Sequence, residues 1–298
     1  MYHPGTTLMK KILLLFSLAV LSAAAQEKPK WQAVKPNLPD SVTLHENLEC
    51  SHPENFSVLV NVYVPKKEGI HPGILLIHGG GWEKRQIEAD KPLAERLAAR
   101  GYVVTQVAYR LSTDAKYPAA LHDCKAALRF MRAHAAEYHL DPHRIGVMGG
   151  SAGGHLSGLV GMTGDVKELE GSGGNPDQPT TVKACIVMAS TMDLIEANKD
   201  TNSEGHVKFF GPITENRPLY VQASPITYVT KKSPPTLFIE AEKDSLKIGR
   251  AEMQEKFKAA GVPTELITLK DAPHPFWMSQ PWLDETAKAA GDWFDKYL

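Results

Sequence analysis

Residues 144–158, RIGVMGGSAGGHLSG, run from an apolar stretch through Gly149-Gly150-Ser151-Ala152-Gly153 into a helical pattern. A serine flanked by glycines between a strand and a helix sits on a sharp turn that lifts its hydroxyl above the sheet edge, where bulkier neighbours would collide. The helix N-terminus beside it favours developing negative charge. A serine hydroxyl is a weak nucleophile until a base removes its proton. In such strand–turn–helix arrangements an acid and then a histidine follow the serine in the chain. His155, His206 and His274 follow Ser151. TLFIEAEKDSLKIG (236–249) places Asp244 just past an apolar strand pattern, and among these histidines only His274, in DAPHPFW (271–277), comes after it. Glu240 and Glu242 are rival acids, within and at the end of the strand pattern. Asp271, beside His274, reads as a solvated turn residue, and His155 as a packed helix residue rather than a ligand.

A second stretch, HPGILLIHGGGWEKR (71–85), ends an apolar run in one histidine, three glycines and a tryptophan. Glycine interrupts regular structure at an entropic cost, so three together imply that the main chain itself is needed, uncovered by side chains. Acyl transfer from an ester builds a negative oxygen on a tetrahedral carbon, and backbone N–H groups must point at it. Gly80 and Gly81 supply two such donors and Ala152 a third. Losing one typically costs ~3 kcal/mol. His78 precedes the serine and reads as a residue bracing this loop. Trp82 either lines a substrate pocket or packs the loop.

These residues need a scaffold that delivers strand ends to one edge. Strand patterns fall at 56–64, 73–78, 102–109, 144–149, 184–189, 236–241 and 264–269, the middle ones apolar throughout, as strands covered on both faces are. Helical patterns lie between them. Leu121, Cys124, Leu128 and Met131 form one stripe within 119–138. Gly101 and Gly261 close the helices over 88–100 and 246–260, and a last helix covers about 282–297. Alternation of this kind specifies an α/β fold with a mostly parallel sheet. Residues 191–235 separate two strands by a connection long enough to be functional, a candidate cap insertion.

The net charge of −1 offers no basic footprint for nucleic acid. Cys50, Cys124 and Cys185 are an odd set without paired spacing, read as buried small side chains rather than a disulfide framework. No motif implies a metal or a cofactor. Lys10 and Lys11 precede ILLLFSLAVL and then SAAAQ, a charged segment, an apolar segment and a small-residue cleavage site. Residues 1–25 therefore read as a signal peptide cleaved before Gln26, with Met9 an alternative start. This implies a secreted or periplasmic protein with no stable membrane insertion after cleavage. Residues 26–45, with Pro29, Pro36 and Pro39, read as a leader, and 46–298 as the catalytic domain.

HGGGW followed by GGSAGGH, with the late aspartate and histidine, resembles the α/β-hydrolase superfamily. More narrowly, it resembles the bacterial carbohydrate-esterase and feruloyl-esterase-like branch related to hormone-sensitive-lipase-like esterases. AYRLS (108–112), YPAALHD (117–123), SPITYV (224–229) and APHPFW (272–277) extend the likeness from about residue 46 to the end. The resemblance implies an α/β-hydrolase fold with helices on both faces of the sheet and a Ser151–His274–Asp244 triad. It also implies an oxyanion hole of Gly80, Gly81 and Ala152. The chain departs at Ala108, where the family pattern has aspartate before Tyr-Arg, and at Gly150, where lipase-like relatives often carry an acid. The expected substrate is a small acyl or methyl ester on a glycan. The signal segment, the resemblance, and aromatics (Phe209, Phe210, Tyr220, Tyr228) mixed with polar groups in the candidate cap motivate this; the alternative for these aromatics is that they pack the cap onto the sheet. The alternatives are a general carboxylesterase for small apolar esters, a serine exopeptidase, or a binding protein on a hydrolase scaffold.

Overall fold

The computed structural model describes residues 31–164, 166–199 and 203–298. The signal-peptide reading of residues 1–25 lies outside them. The elements in chain order are β1 (Val42–Ser51), β2 (Val58–Pro65), β3 (His71–Ile77), α1 (Lys91–Arg100), β4 (Val103–Ala108), α2 (Ala119–Ala133), β5 (Leu140–Gly150), α3 (Ala152–Met162) and β6 (Ala184–Met188). There follow α4 (Leu194–Ala197), α5 (Glu204–Phe210), α6 (Ile213–Gln222), β7 (Thr236–Ala241), α7 (Arg250–Ala259), β8 (Thr264–Leu269) and α8 (Trp282–Tyr297).

The strands form one sheet in the order β1-β2-β4-β3-β5-β6-β7-β8. β1, β2 and β4 pair antiparallel, and β4, β3, β5, β6, β7 and β8 pair parallel. This is the α/β-hydrolase arrangement. β1 starts at Val42, inside the stretch read from sequence as a leader; its charged, irregular pattern LHENLE hides the alternation that marks a strand. Along β3, Ile74 and Leu76 enter one apolar layer and Leu75 and Ile77 the other. Strand residues alternate faces, so a strand buried on both sides is apolar throughout. Leu93 and Leu97 of α1 and Leu283 and Phe294 of α8 fill one layer, and α2, α3 and α7 pack in the other. Each fully buried Leu or Phe contributes about 2 kcal/mol.

The topology places the chemistry. β3 and β5 are adjacent and parallel, with Ile77 opposite Gly149. The glycine loop leaving β3 and the serine leaving β5 therefore emerge side by side. Asp244 follows β7, and His274 follows β8, at the same carboxyl ends, where open α/β sheets place their ligands.

Candidate active site

Ser151 adopts φ 57° and ψ −124° between β5 and α3. A non-glycine residue held there is strained, and such strain clusters at functional sites. The flanking glycines are required by close approach. A Cβ on Gly153 would lie 2.0 Å from the Ile77 carbonyl oxygen, and one on Gly150 would lie 2.2 Å from the Trp277 ring. The glycine at 150, a departure from the lipase-like pattern, is thus explained by an indole that fills its side-chain space.

His274 Nδ1 lies 2.7 Å from Asp244 Oδ2. The second Asp244 oxygen accepts the Leu246 N–H at 2.9 Å, which fixes the carboxylate. The rival acids are elsewhere: Glu240 pairs with Arg250 at 3.3 Å, and the Glu242 side chain makes no hydrogen bond to a described residue; Asp271, read as a solvated turn residue, pairs with Lys243 at 2.8 Å on the surface. Ser151 and His274 line one cavity of about 500 Å³. No hydrogen bond joins them in this structure; catalytic pairs without substrate are often looser than in the reacting complex.

Gly80, Gly81 and Ala152 line the same cavity. No acceptor among the described residues takes the N–H of any of the three. Gly80 has φ +107°, and a Cβ there would sit 2.1 Å from the Lys84 carbonyl oxygen. That carbonyl is close because the loop turns tightly, Lys84 N–H donating to Gly80 O at 2.9 Å. His78 braces the loop from below. Its Nδ1 meets Gly79 O at 2.7 Å, its ring stacks on Tyr109 at 4.3 Å, and the Tyr109 hydroxyl donates to His78 O. Arg110, whose support the Ala108 departure put in question, is held by buried Asp123, with Nε and Nη2 2.9 and 2.8 Å from its two oxygens. Asp123 comes from α2, thirteen residues on, which no local motif reveals.

Segment 191–235 supplies one wall through Thr191, Leu194, Ser203, Gly205 and His206. Its aromatics do not face the cavity; of the two roles the sequence allowed them, a sugar-binding face or packing of the cap, the structure shows packing. Phe209, Phe210 and Tyr220 are buried, and Phe209 stacks on Trp82 with centroids 5.2 Å apart. They clamp the segment to the glycine loop, and Tyr228 lies in another cavity. Trp82 does both things considered for it: it lines the cavity and packs against Phe209. Glu83, from the loop, pairs with Lys208 of α5 at 3.2 Å. His155 is a packed residue as expected, its Nε2 2.7 Å from Ala223 O. The three cysteines are buried and free. Among the described residues no His/Cys/Asp/Glu group is arranged to hold a metal, and no helix is long and apolar enough to cross a membrane.

Burial pushes His78 and His155 each down to about 4, and pushes the Asp90 carboxyl up to about 7. The unfolded chain protonates the histidines near 6.5, so their contribution is fully present above that pH and is lost on falling towards 4. Asp90 holds a proton in the fold that the unfolded chain has released, so it works in the opposite sense between about 4 and 7. Two protons against one leave a net loss of stability as the pH falls from about 6 to 4.5, of no more than about one proton's worth from these three groups. Asp90→Asn removes the opposing group, and this contribution to the acid-side slope in urea unfolding is expected to double. An unchanged or shallower slope would contradict the assignment.

The BD-FAE family model matches residues 60–251. Esterase LipQ of Mycobacterium tuberculosis is 29% identical over 186 residues, 59% of this chain and 42% of LipQ, so this chain spans less than half of that relative. Versiconal hemiacetal acetate esterase of Dothistroma septosporum is 26% identical over 268 residues, covering 83% of this chain and 78% of that enzyme. Among solved structures, a truncated carbohydrate esterase from gut microbiota superposes with a TM-score of 0.77 at 24% identity, covering 88% of this chain and 100% of that one. With the family model spanning most of the sheet, the glycine loop, the serine turn and the Asp244 loop, the chain belongs to the BD-FAE family, on an α/β-hydrolase fold.

Proposed function

We propose that this protein is a serine carboxylic-ester hydrolase that removes small acyl groups, acetyl foremost, from polysaccharides or oligosaccharides outside the cytoplasm. The observation that carries the reading is the 2.7 Å contact of His274 with Asp244 in the cavity lined by strained Ser151 and by three unbonded backbone N–H groups. His274 takes the Ser151 proton as the hydroxyl attacks the ester carbonyl. Asp244 keeps the ring's Nδ1–H oriented and stabilises the imidazolium. Gly80, Gly81 and Ala152 donate to the oxyanion. The imidazolium then protonates the leaving alcohol, and water hydrolyses the acyl-enzyme by the same steps in reverse order.

The glycan reading rests on the cavity's hydrogen-bonding wall (Gln86, Ser190, Thr191, Ser203, His206) and on the family. The name of the gut-microbiota neighbour points the same way, as does the signal-like N-terminus. Cap aromatics no longer support it. A general carboxylesterase is the second reading, favoured by Leu194, Leu246 and Trp277 in the lining. A nitrophenyl-ester chain-length series beside acetylated, feruloylated and methyl-esterified glycans separates them. Acetate release from xylan or pectin, with a preference for two- to four-carbon esters, is expected. Activity peaking at eight carbons or more, with no release from any glycan, sinks the carbohydrate reading and leaves the serine mechanism standing. N-terminal sequencing of exported protein, expected to begin at Gln26, tests the extracytoplasmic part.

A further inference from the structure

Asp90 stands outside every step described above, yet it occupies an unusual position. It is 1% exposed and directly precedes α1 without capping it by its side chain. Its Oδ1 accepts the indole N–H of Trp277 at 3.0 Å, and Oδ2 has no partner among the described residues. It has no ion-pair partner among them either. A buried carboxyl group with one oxygen unpartnered is destabilising whether or not it is protonated, so the fold retains it at a cost.

What it holds is the ring beneath the reacting groups. Trp277 is 1% exposed, three residues after His274, with the two rings edge to face at 5.5 Å. The same indole fills the space beside Gly150, the residue before Ser151. One side chain therefore packs against both the nucleophile's turn and the base, and among the described residues its only hydrogen bond runs to Asp90. The indole turns about its Cβ–Cγ bond, and the hydrogen bond at Nε1 fixes that torsion. Displacements of about 1 Å at a reacting pair cost on the order of a hundredfold in rate.

We infer that Asp90 is a positioning residue, which anchors the Trp277 indole and through it sets the approach of His274 to Ser151. The inference rests on the serine-hydrolase reading above. Asp90 contacts no substrate; its role is to accept one hydrogen bond, which an amide oxygen also does.

The experiment measures kcat, KM and Tm on a short-chain nitrophenyl ester for four variants. Asp90→Asn keeps the acceptor and is expected to hold kcat within about threefold. Asp90→Leu is expected to lower kcat ten- to hundredfold with KM nearly unchanged. Because Asp90→Leu leaves an orphan donor and risks misfolding, the pair Asp90→Leu/Trp277→Phe is the decisive arm. Replacing both partners of a buried hydrogen bond by apolar groups restores stability far better than removing one. If the contact positions the catalytic groups, the double variant keeps a near-native Tm and still loses kcat as Trp277→Phe does alone. If its role is only structural, kcat returns along with Tm, and the inference is overturned. Full kcat in Trp277→Phe, or a loss in Asp90→Asn as large as in Asp90→Leu, also overturns it. Each of these results is compatible with an inactive Ser151→Ala enzyme, so failure here leaves the serine mechanism intact, whereas an active Ser151→Ala enzyme removes the premise.

Discussion

Ser151→Ala is expected to lower kcat on the order of a millionfold while the protein still folds, the scale of loss measured for the nucleophile of a well-studied serine protease. In the proposed mechanism the three groups act as a unit, which makes the effect large. Without the hydroxyl no acyl-enzyme can form, and His274 has no proton to take. The folding side of the expectation is equally specific. Ser151 Oγ makes no hydrogen bond to any described residue, so alanine removes none. The turn is fixed by its backbone: Ser151 N–H donates to Met188 O at 2.9 Å, and Ser151 O accepts from His155 N–H at 3.0 Å. Alanine occupies the same positive φ with a similar strain, so Tm is expected to stay within a few degrees. A variant retaining a tenth of wild-type turnover, free of contaminating esterase, would falsify the mechanism.

Asp244→Asn is expected to lower kcat about ten-thousandfold, with KM much less affected, as happens when the equivalent acid of a serine protease is neutralised. The Asp244 side chain is 5% exposed, with one oxygen on the Leu246 N–H and the other 2.7 Å from His274 Nδ1. A carboxylate there demands that Nδ1 carry the proton, which leaves Nε2 bare to take the serine proton. An asparagine that keeps its oxygen on Leu246 presents an NH2 to the ring. It stabilises the opposite tautomer, with the proton on the nitrogen that must accept one. Glu242→Gln and Glu240→Gln serve as controls. Glu240 is engaged with Arg250, and Glu242 makes no side-chain hydrogen bond to a described residue, so neither change is expected to alter kcat by more than a few-fold. Full activity in Asp244→Asn together with an inactive Glu242→Gln would transfer the acid role to Glu242.

These two expectations start from features that are legible in the chain. Local sequence determined the serine turn, because only glycine fits beside a strand end that folds back on its neighbour. It determined the glycine loop for a related reason: an exposed main chain needs residues without side chains. Chain order narrowed the choice of acid and histidine, since only one of the considered histidines lies beyond the last parallel strands. Uninterrupted apolar runs marked the strands that are buried on both faces. β1 escaped notice because it is an edge strand, and its charged, half-exposed residues carry neither signal.

Tertiary structure decided everything that depends on which side chain fills which space. Asp123 takes over the support of Arg110 from another element, and nothing in the spacing between them shows it. The aromatics of 191–235 look suited to sugar in sequence, yet they turn inward, because Phe209 finds the Trp82 face and the apolar layer offers Phe210 and Tyr220 more burial than an open cavity does. Gly150 reads as a missing acid until the Trp277 indole is seen in its place, held by a carboxylate from the start of α1. The physical reason is common to all three. Backbone conformation and strand periodicity are short-range properties that a sequence displays directly, whereas packing complementarity joins residues as distant as Asp90 and Trp277, 187 positions apart, and exists only once the sheet has brought them together.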